Sequence, residues 1–295
     1  MADPKQSGSP TPRTLRILTV NLWGENGPWP ARMELLAEGI AALAPDVIGL
    51  QEVREAPGRV PNQAGEIARR HGFHHVFAPS TAWGGGHEGL AILSRFPIGM
   101  HEAQPLPHSV ETEGRIILSA RIDADPHGAG SFWVHTTHLS YRENEGRKRE
   151  DQVVFIDKLM TARASDHIQI VMGDFNTVPE ADEIRWLTGL TTLDGRRVFY
   201  QDTWARAHRG EAATGVTWTR ANGYIDWMHW LTPERRLDYI FTTQPRRDRR
   251  GTVHRAEVVF DQPRVAPDGA RLFVSDHFGV VADVQMVAEP GHAAK

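Results

Sequence analysis

Ile168-Gln169-Ile170-Val171-Met172-Gly173-Asp174-Phe175-Asn176 is the stretch on which the fold turns. A short, β-branched apolar run of this kind reads as a strand covered on both faces. Two short polar side chains, Asp174 and Asn176, follow at its carboxyl end, where α/β sheets place their ligands. Working outward, the same arrangement recurs. Asn21 follows the strand Leu15–Val20, Glu52 follows Asp46–Leu50, and His138 follows Phe132–Thr137. Asp238 and the pair Asp276-His277 instead precede the strands Tyr239–Thr243 and Phe278–Met286. If the later strands run antiparallel to the earlier ones, all of these positions fall on one edge of the sheets.

The remaining pattern alternates strands with helices. Helices are expected at Ala31–Leu43, with Met33, Leu36, Ile40 and Leu43 on one stripe, and at Asn62–His71. A long one is expected over Glu145–Arg163, turning Val153, Ile156 and Met160 inward, and a short one over Glu180–Thr188. Further strands read at Phe73–Phe77, Gly89–Ser94, Ile116–Ile122 and Val253–Phe260. Several strands follow one another through short turns, so this α/β chain cannot carry an all-parallel sheet. Residues 1–13 and 289–295 read as disordered tails around one domain, 14–288, with no linker or repeat inside it.

Composition narrows the chemistry. With 295 residues, 40% of them hydrophobic, the chain can bury a large core. It has no cysteine, which excludes disulfide scaffolds, thiolate zinc sites and cysteine nucleophiles. No apolar run reaches the roughly 18 residues of a membrane span. The polar segment Met1–Arg13 does not resemble a secretory signal, so a cytoplasmic monomer without a transmembrane segment is expected. A net charge of -4 argues against nucleic-acid backbone binding as the main task.

Glu52, Asp174, Asp238 and Asp276 on one edge would repel one another and could not all stay ionised unaided. A hard cation with oxygen ligands resolves this, and Mg²⁺ suits a sparse carboxylate set with room for water and substrate. A phosphoryl centre fits what stands beside it. The metal and His138 would neutralise developing charge, Asn176 would donate a hydrogen bond, and an Asp–His pair could move a proton.

The segments Thr19-Val20-Asn21, Leu50-Gln51-Glu52-Val53, Gly89-Leu90-Ala91-Ile92-Leu93-Ser94-Arg95-Phe96-Pro97, Thr137-His138-Leu139, Gly173-Asp174-Phe175-Asn176, Arg236-Leu237-Asp238-Tyr239-Ile240-Phe241 and Ser275-Asp276-His277 together resemble the endonuclease/exonuclease/phosphatase family, in its sphingomyelinase-like and bacterial branch. That resemblance implies a four-layer α/β/β/α sandwich with two mixed β-sheets, and an Mg²⁺-dependent phosphoester hydrolase in which Mn²⁺ can substitute. It makes Glu52 the principal metal ligand, with Asn21 nearby and Asp276 completing the site. Asn176 and His138 would hold phosphoryl oxygens, and His277 would be positioned by Asp238. Either Asp174 or His277 would take the proton of the attacking water.

Other residues are candidates for substrate. Arg115 opens a strand and could reach a substrate phosphate. Asn222, after Thr217-Trp218-Thr219-Arg220, resembles a Thr-Trp…Asn element of bacterial family members near substrate. Tyr224-Ile225-Asp226-Trp227-Met228-His229-Trp230 offers Trp227 and Trp230 as a wall for an organic group, or as rim packing. His135 is three residues from His138 on a strand, so the two side chains face opposite ways and share no ion. Gly84-Gly85-Gly86 with His87-Glu88 could cradle a phosphate but reads more readily as a surface turn, and Arg246-Arg247-Asp248-Arg249-Arg250 reads as a solvated hairpin tip between two strands. The leading expectation is a phosphodiesterase or phosphatase acting on a small-molecule or lipid-derived substrate. A DNase or abasic-site nuclease is the first alternative. A non-catalytic binding module with the same fold is the second, and it would be expected to have lost one of the carboxylates or His277.

Overall fold

The computed structural model describes residues 14–111, 113–124, 129–163, 167–211, 214–225 and 234–288. Two six-stranded sheets face each other. The first has the order β11-β14-β1-β2-β4-β3, built from β1 (Thr14–Asn21), β2 (Val47–Glu55), β3 (His74–Trp83), β4 (Gly86–Ser94), β11 (Val253–Val259) and β14 (Gly279–Gln285). The second runs β5-β6-β7-β8-β10-β9, from β5 (Ile98–Pro105), β6 (Ile116–Asp123), β7 (Ser131–His138), β8 (Ile170–Asp174), β9 (Gln201–Asp202) and β10 (Asp238–Thr242). A small ladder, β12 (Arg264–Val265) with β13 (Arg271–Leu272), stands apart. β1 pairs with β2, and β7 with β8, in parallel, while the other ladders are antiparallel, so both sheets are mixed.

Strand alternation fixes the layers. Ile17, Ile92, Val134, Ile170, Met172, Ile240 and Ala282 fill the space between the sheets. Their neighbours point outward. Leu18, Ile48, Leu50 and Leu93 meet Leu36, Ile40 and Ile67 from the helices α1 (Trp29–Leu43) and α2 (Gln63–His71). Val171 and Phe241 meet Val153, Ile156, Met160 and Ile184 from α3 (Gly146–Ala162) and α4 (Asp182–Leu187). The result is the expected α/β/β/α sandwich. No helix among the described residues is long and apolar enough to cross a membrane.

Several expectations need correction. β2 does not end at Leu50; it continues to Glu55 through a bulge between Leu50 and Val53, and Glu52 sits in that bulge with φ +52°. β5 was not foreseen, because it is an exposed edge strand whose residues show no alternation. α5 (Thr203–Ala207) was missed too, although Asp202 caps it by accepting from the Trp204 and Ala205 amides. The arginine-rich run 246–250 is not a hairpin tip. It joins β10 of the second sheet to β11 of the first, and Arg250 pairs with Asp248 at 2.7 Å.

His135 and His138 part as expected. His135 is fully buried, its Nδ1 2.8 Å from the Ser119 hydroxyl and its Nε2 3.2 Å from Gln169 Oε1. Burial pushes its imidazole down to about 4, against the support of the Gln169 hydrogen bond. The unfolded ring titrates near 6.5, so its contribution is fully present above that pH and is lost as pH falls towards 4, by up to roughly 3 kcal/mol. His135→Gln is therefore expected to flatten the decline of the urea midpoint between pH 7 and pH 4.5; equal declines in both proteins would refute the assignment.

Candidate active site

Register builds the first half of the site. Asp174 ends β8, with His138, the last residue of β7, directly beside it and Asp238, the first residue of β10, on its other side. Three chemistry-bearing side chains therefore stand in a row across adjacent strands of one sheet. The row is tight because of Gly173. Its φ is +142°, and a Cβ there would lie 2.0 Å from the Thr137 carbonyl oxygen. Immediately afterwards the chain turns: Asn176 adopts φ +51°, and its amide N–H donates to Asp174 Oδ1 at 2.8 Å. The Asn176 side chain donates to the Leu139 carbonyl at 3.1 Å.

The first sheet supplies the second half. The bulge at Glu52 turns its carboxylate to the same edge, as bulges do when they re-aim a side chain. Asn21, the last residue of β1, links the halves: its Nδ2 donates to Glu52 Oε1 at 3.0 Å and to Asp174 Oδ2 at 3.1 Å. The Trp23 amide N–H donates to Asn21 Oδ1 at 2.9 Å, which fixes the amide's orientation. Asn21, expected near the ion, thus turns N–H groups, not its oxygen, to the carboxylates and orients them.

Asp276 and His277 enter just before β14. His277 Nδ1 lies 2.9 Å from Asp238 Oδ2, and its Nε2 lies 3.7 Å from Asp174 Oδ2. His138 Nε2 approaches the same Asp174 oxygen at 3.4 Å. Thr217 braces this half. Its hydroxyl accepts from the Leu237 and Asp238 amides at 3.0 and 3.2 Å, and its carbonyl accepts from the Phe278 amide at 2.7 Å. Asn222 completes the brace. It is fully buried, donates to the Ser275 and Asp276 carbonyls at 2.7 and 3.0 Å, and accepts from the Tyr224 amide. Asn222 thus lies behind the site, positioning Asp276, where substrate contact was expected. Trp227 and Trp230 lie outside the described residues.

The electrostatics follow from burial. Desolvation pushes the Asp174 carboxyl up to about 7; the facing His277 charge opposes this, and Asp238 adds to it. Burial and then mutual repulsion with Asp276 raise Glu52, while burial raises Asp276 against the pull of His277 and Ser275. Burial, the Arg115 charge and the His277 charge hold His138 well below 6.5. His277 goes the other way. Burial works against its charge, but Asp238, Asp174 and the Asp238 hydrogen bond together carry it well above 6.5. The surroundings thus favour the charged form of His277 and the neutral form of His138.

Glu52, His138, Asp174, Asn176 and His277 line a cleft of about 640 Å³. Arg115 is in its wall. So are Glu88, from the Gly-rich turn segment, and residues that sequence reasoning did not single out: Glu113, Tyr141, Arg142, Glu143 and Arg235. Glu88, one residue before the quoted Gly89–Pro97 segment, is raised to about 7 by burial and by the Glu52 charge. The alternation of β4 puts it on the cleft side, a signal that the sequence does carry. Asp174, Asp238 and His277 offer three potential ligand atoms within 4.8 Å of one another.

The fold is a four-layer α/β/β/α sandwich with this cluster at one strand-end edge. The profile of the Endonuclease/Exonuclease/phosphatase family matches residues 18–277, and the chain belongs to that family, whose members are phosphoester hydrolases. It is 27% identical over 181 residues to the uncharacterized protein YbhP of Escherichia coli K12, a match covering 55% of this chain and 67% of that protein. Among solved structures it resembles TDP2 of D. rerio complexed with a single-strand DNA product, with a TM-score of 0.71 and 21% identity over 92% of this chain and 98% of that one. It also resembles an endonuclease/exonuclease/phosphatase from Beutenbergia cavernae, with a TM-score of 0.67 and 23% identity over 95% of this chain and 73% of that one.

The Asp238–His277 contact sets a measurable property. In metal-free protein the His277 ring should titrate above the ordinary histidine range, and Asp238→Asn should bring it down, as followed by side-chain ¹⁵N resonances across a pH series. A His277 that titrates at or below 6.5 in the unaltered chain would contradict the geometry.

Proposed function

We propose that this protein is a divalent-metal-dependent phosphodiesterase or phosphatase that hydrolyses a small-molecule or lipid-derived phosphoester by attack of water. The observation that carries the reading is the Asp238–His277 hydrogen bond at 2.9 Å, with the free Nε2 of His277 facing Asp174. An inert domain has no need to hold a cationic imidazole between two buried carboxylates.

The residues present fit a hard divalent cation. Glu52 and Asp276 are partly buried acids; burial raises both, the Asp276 charge adds to the rise at Glu52, and a 2+ ion removes that penalty. Oxygen donors of this kind suit Mg²⁺, and Mn²⁺ by substitution. Glu52 and Asp276 would hold the ion, with Asn21 orienting Glu52. The trio of Asp174, Asp238 and His277 is the weaker ion site, because His277 Nδ1 is already committed to Asp238. When bound, the cation supplies Lewis-acid polarisation of a phosphoryl oxygen and neutralises charge that develops there.

The protein's own groups do the rest. His138, neutral, and Asn176 lie beside the cleft to bind phosphoryl oxygens. The 3.7 Å gap between His277 Nε2 and Asp174 Oδ2 leaves both atoms free to bind one substrate or water oxygen between them. Asp174, with its proton affinity raised to about 7, takes the proton of the attacking water. His277 already carries its proton and serves the phosphoryl or leaving-group oxygen, with Asp238 keeping its ring in place.

A nuclease is the second reading. It is favoured by the cleft rim, where Arg142 lies over Tyr141 at 5.1 Å and Arg235 over Trp218 at 5.7 Å, since guanidinium and aromatic faces suit phosphates and bases. The D. rerio neighbour was solved with a single-strand DNA product. The net charge of -4 favours the small-molecule reading. Cleavage of plasmid DNA in preference to small phosphodiesters would reverse that order.

Activity should vanish in EDTA and return with Mg²⁺, and Glu52→Gln should weaken metal affinity while the thermal midpoint changes little. His277→Ala and Asp238→Ala should each lose on the order of 10²–10⁴-fold in turnover. The double variant should lose little more than either, because the two act as one unit. Independent, multiplying losses would sink the dyad, and full activity in excess chelator would sink the metal.

A further inference from the structure

One cluster in the cleft is left unexplained by the chemistry above. The Glu113 carboxylate lies 3.5 Å from Arg115 Nε through one oxygen and 3.5 Å from Arg142 Nη1 through the other. Both distances exceed the roughly 2.7–2.9 Å of a charge-assisted hydrogen bond. Both Glu113 oxygens and Arg115 Nε are shielded from solvent and have no hydrogen-bond partner among the described residues. Arg115 is 8% exposed. A buried guanidinium with an idle N–H, beside a carboxylate that only partly answers it, is an under-satisfied arrangement that calls for a partner.

The looseness is local. On the same cleft wall Arg235 meets Glu143 in a direct hydrogen bond of 2.5 Å. The backbone at Glu113 also cannot close the gap. The Thr81 hydroxyl donates to the Glu113 carbonyl, and Gly114, at φ +72°, passes so close to β3 that a Cβ would lie 2.5 Å from the Ser80 carbonyl oxygen. What remains free to move is the Glu113 side chain. Arg142, half exposed four residues beyond His138, carries the positive charge from the reaction centre towards the rim.

Resting on the phosphoester reading, we propose that Arg115 and Arg142 form a second anion subsite, closed in the free protein by Glu113, which a further phosphate of the substrate displaces. A phosphate offers more acceptor oxygens and more charge than one carboxylate, and it matches the fork of donors that arginine presents. The favoured substrate therefore carries a non-scissile phosphate beside the ester that is cleaved.

Two chromogenic substrates with the same leaving group test this: thymidine 5′-(p-nitrophenyl phosphate) with and without a 3′-phosphate. The unaltered protein should prefer the 3′-phosphorylated one in kcat/KM by about tenfold, the size of one added charge-assisted contact. R142Q should bring that ratio towards one. Binding of inorganic pyrophosphate to the metal-free full chain, measured by calorimetry, gives a reading independent of turnover. R142Q should weaken it several-fold and E113Q should strengthen it several-fold, an opposition that partial unfolding cannot produce. Turnover with a ratio of one, and pyrophosphate binding indifferent to both variants, would overturn the subsite while leaving the hydrolase intact. Absence of turnover on either substrate, with the opposed binding shifts present, would uphold the subsite and overturn the hydrolase. Tighter competition by a short single-stranded oligonucleotide than by thymidine 3′,5′-bisphosphate would support the subsite with the second phosphate on a polynucleotide, and the reverse order would support it with a small molecule.

Discussion

Four carboxylates share one end of the two sheets, two of them almost sealed from water, and the rest of the site is arranged around their repulsion. Asp174 and Asp238 are each 1% exposed. An unpaired buried charge costs several kcal/mol, so positive charge or donors must be brought in. His277 answers Asp238 and Asp174, and the Asn21 amide answers Glu52 and Asp174. The nearby Arg32 guanidinium does not complete the balance. Its donors go to the carbonyls of Leu22, Gly24, Asn26 and Val274, so it steadies loops instead. The deficit of positive charge therefore sits at Glu52 and Asp276, on the first sheet's side of the cleft.

Only a mixed sandwich brings these groups together cheaply. β1 and β8 deliver Asn21 and Asp174 at their ends, whereas β10 and β14 run the other way and deliver Asp238 and His277 at their beginnings. Antiparallel pairing thus lets residues far apart in the chain meet without long crossovers. The two sheets are also tied by a polar contact just beneath the site, where Gln51 donates to Thr136 at 2.8 Å. A one-residue slip in either sheet would turn its catalytic side chains to the opposite face.

Much of this was legible in the residues, for a physical reason. A buried strand ending in Asp, Asn or His is an expensive pattern, and its repetition with reversed polarity at Asp238 and His277 predicts a common edge. The parts that escaped depend on tertiary context. The φ of +52° at Glu52 has no local glycine to announce it. β5 gives no alternation because its side chains are largely exposed. Asn222 reads as a substrate contact by its motif, yet only its partners, the Ser275 and Asp276 carbonyls, reveal a brace. Glu113 and Arg142 carry no signal at all until the loops that hold them are folded against one another.

The division of labour between strands and loops explains where this scaffold can change. Reacting groups come from strand ends held by register, while the cleft walls come from loops, as is general for sites grafted on rigid folds. Here the two are not independent. Thr217 holds the ends of Asp238 and Phe278, and its neighbour Trp218 bridges to Arg235, which in turn pairs with Glu143 across the wall. Adjacent residues of one extended segment thus hold the Asp238–His277 pair and line the cleft wall. Trp218 can be exchanged to reshape the wall, but a change that shifts the backbone of Thr217 moves the strand that positions Asp238, and with it the His277 ring. Loop variation that reshapes the cleft is therefore confined to side chains pointing into it, because the backbone beneath them holds the Asp238–His277 pair in place.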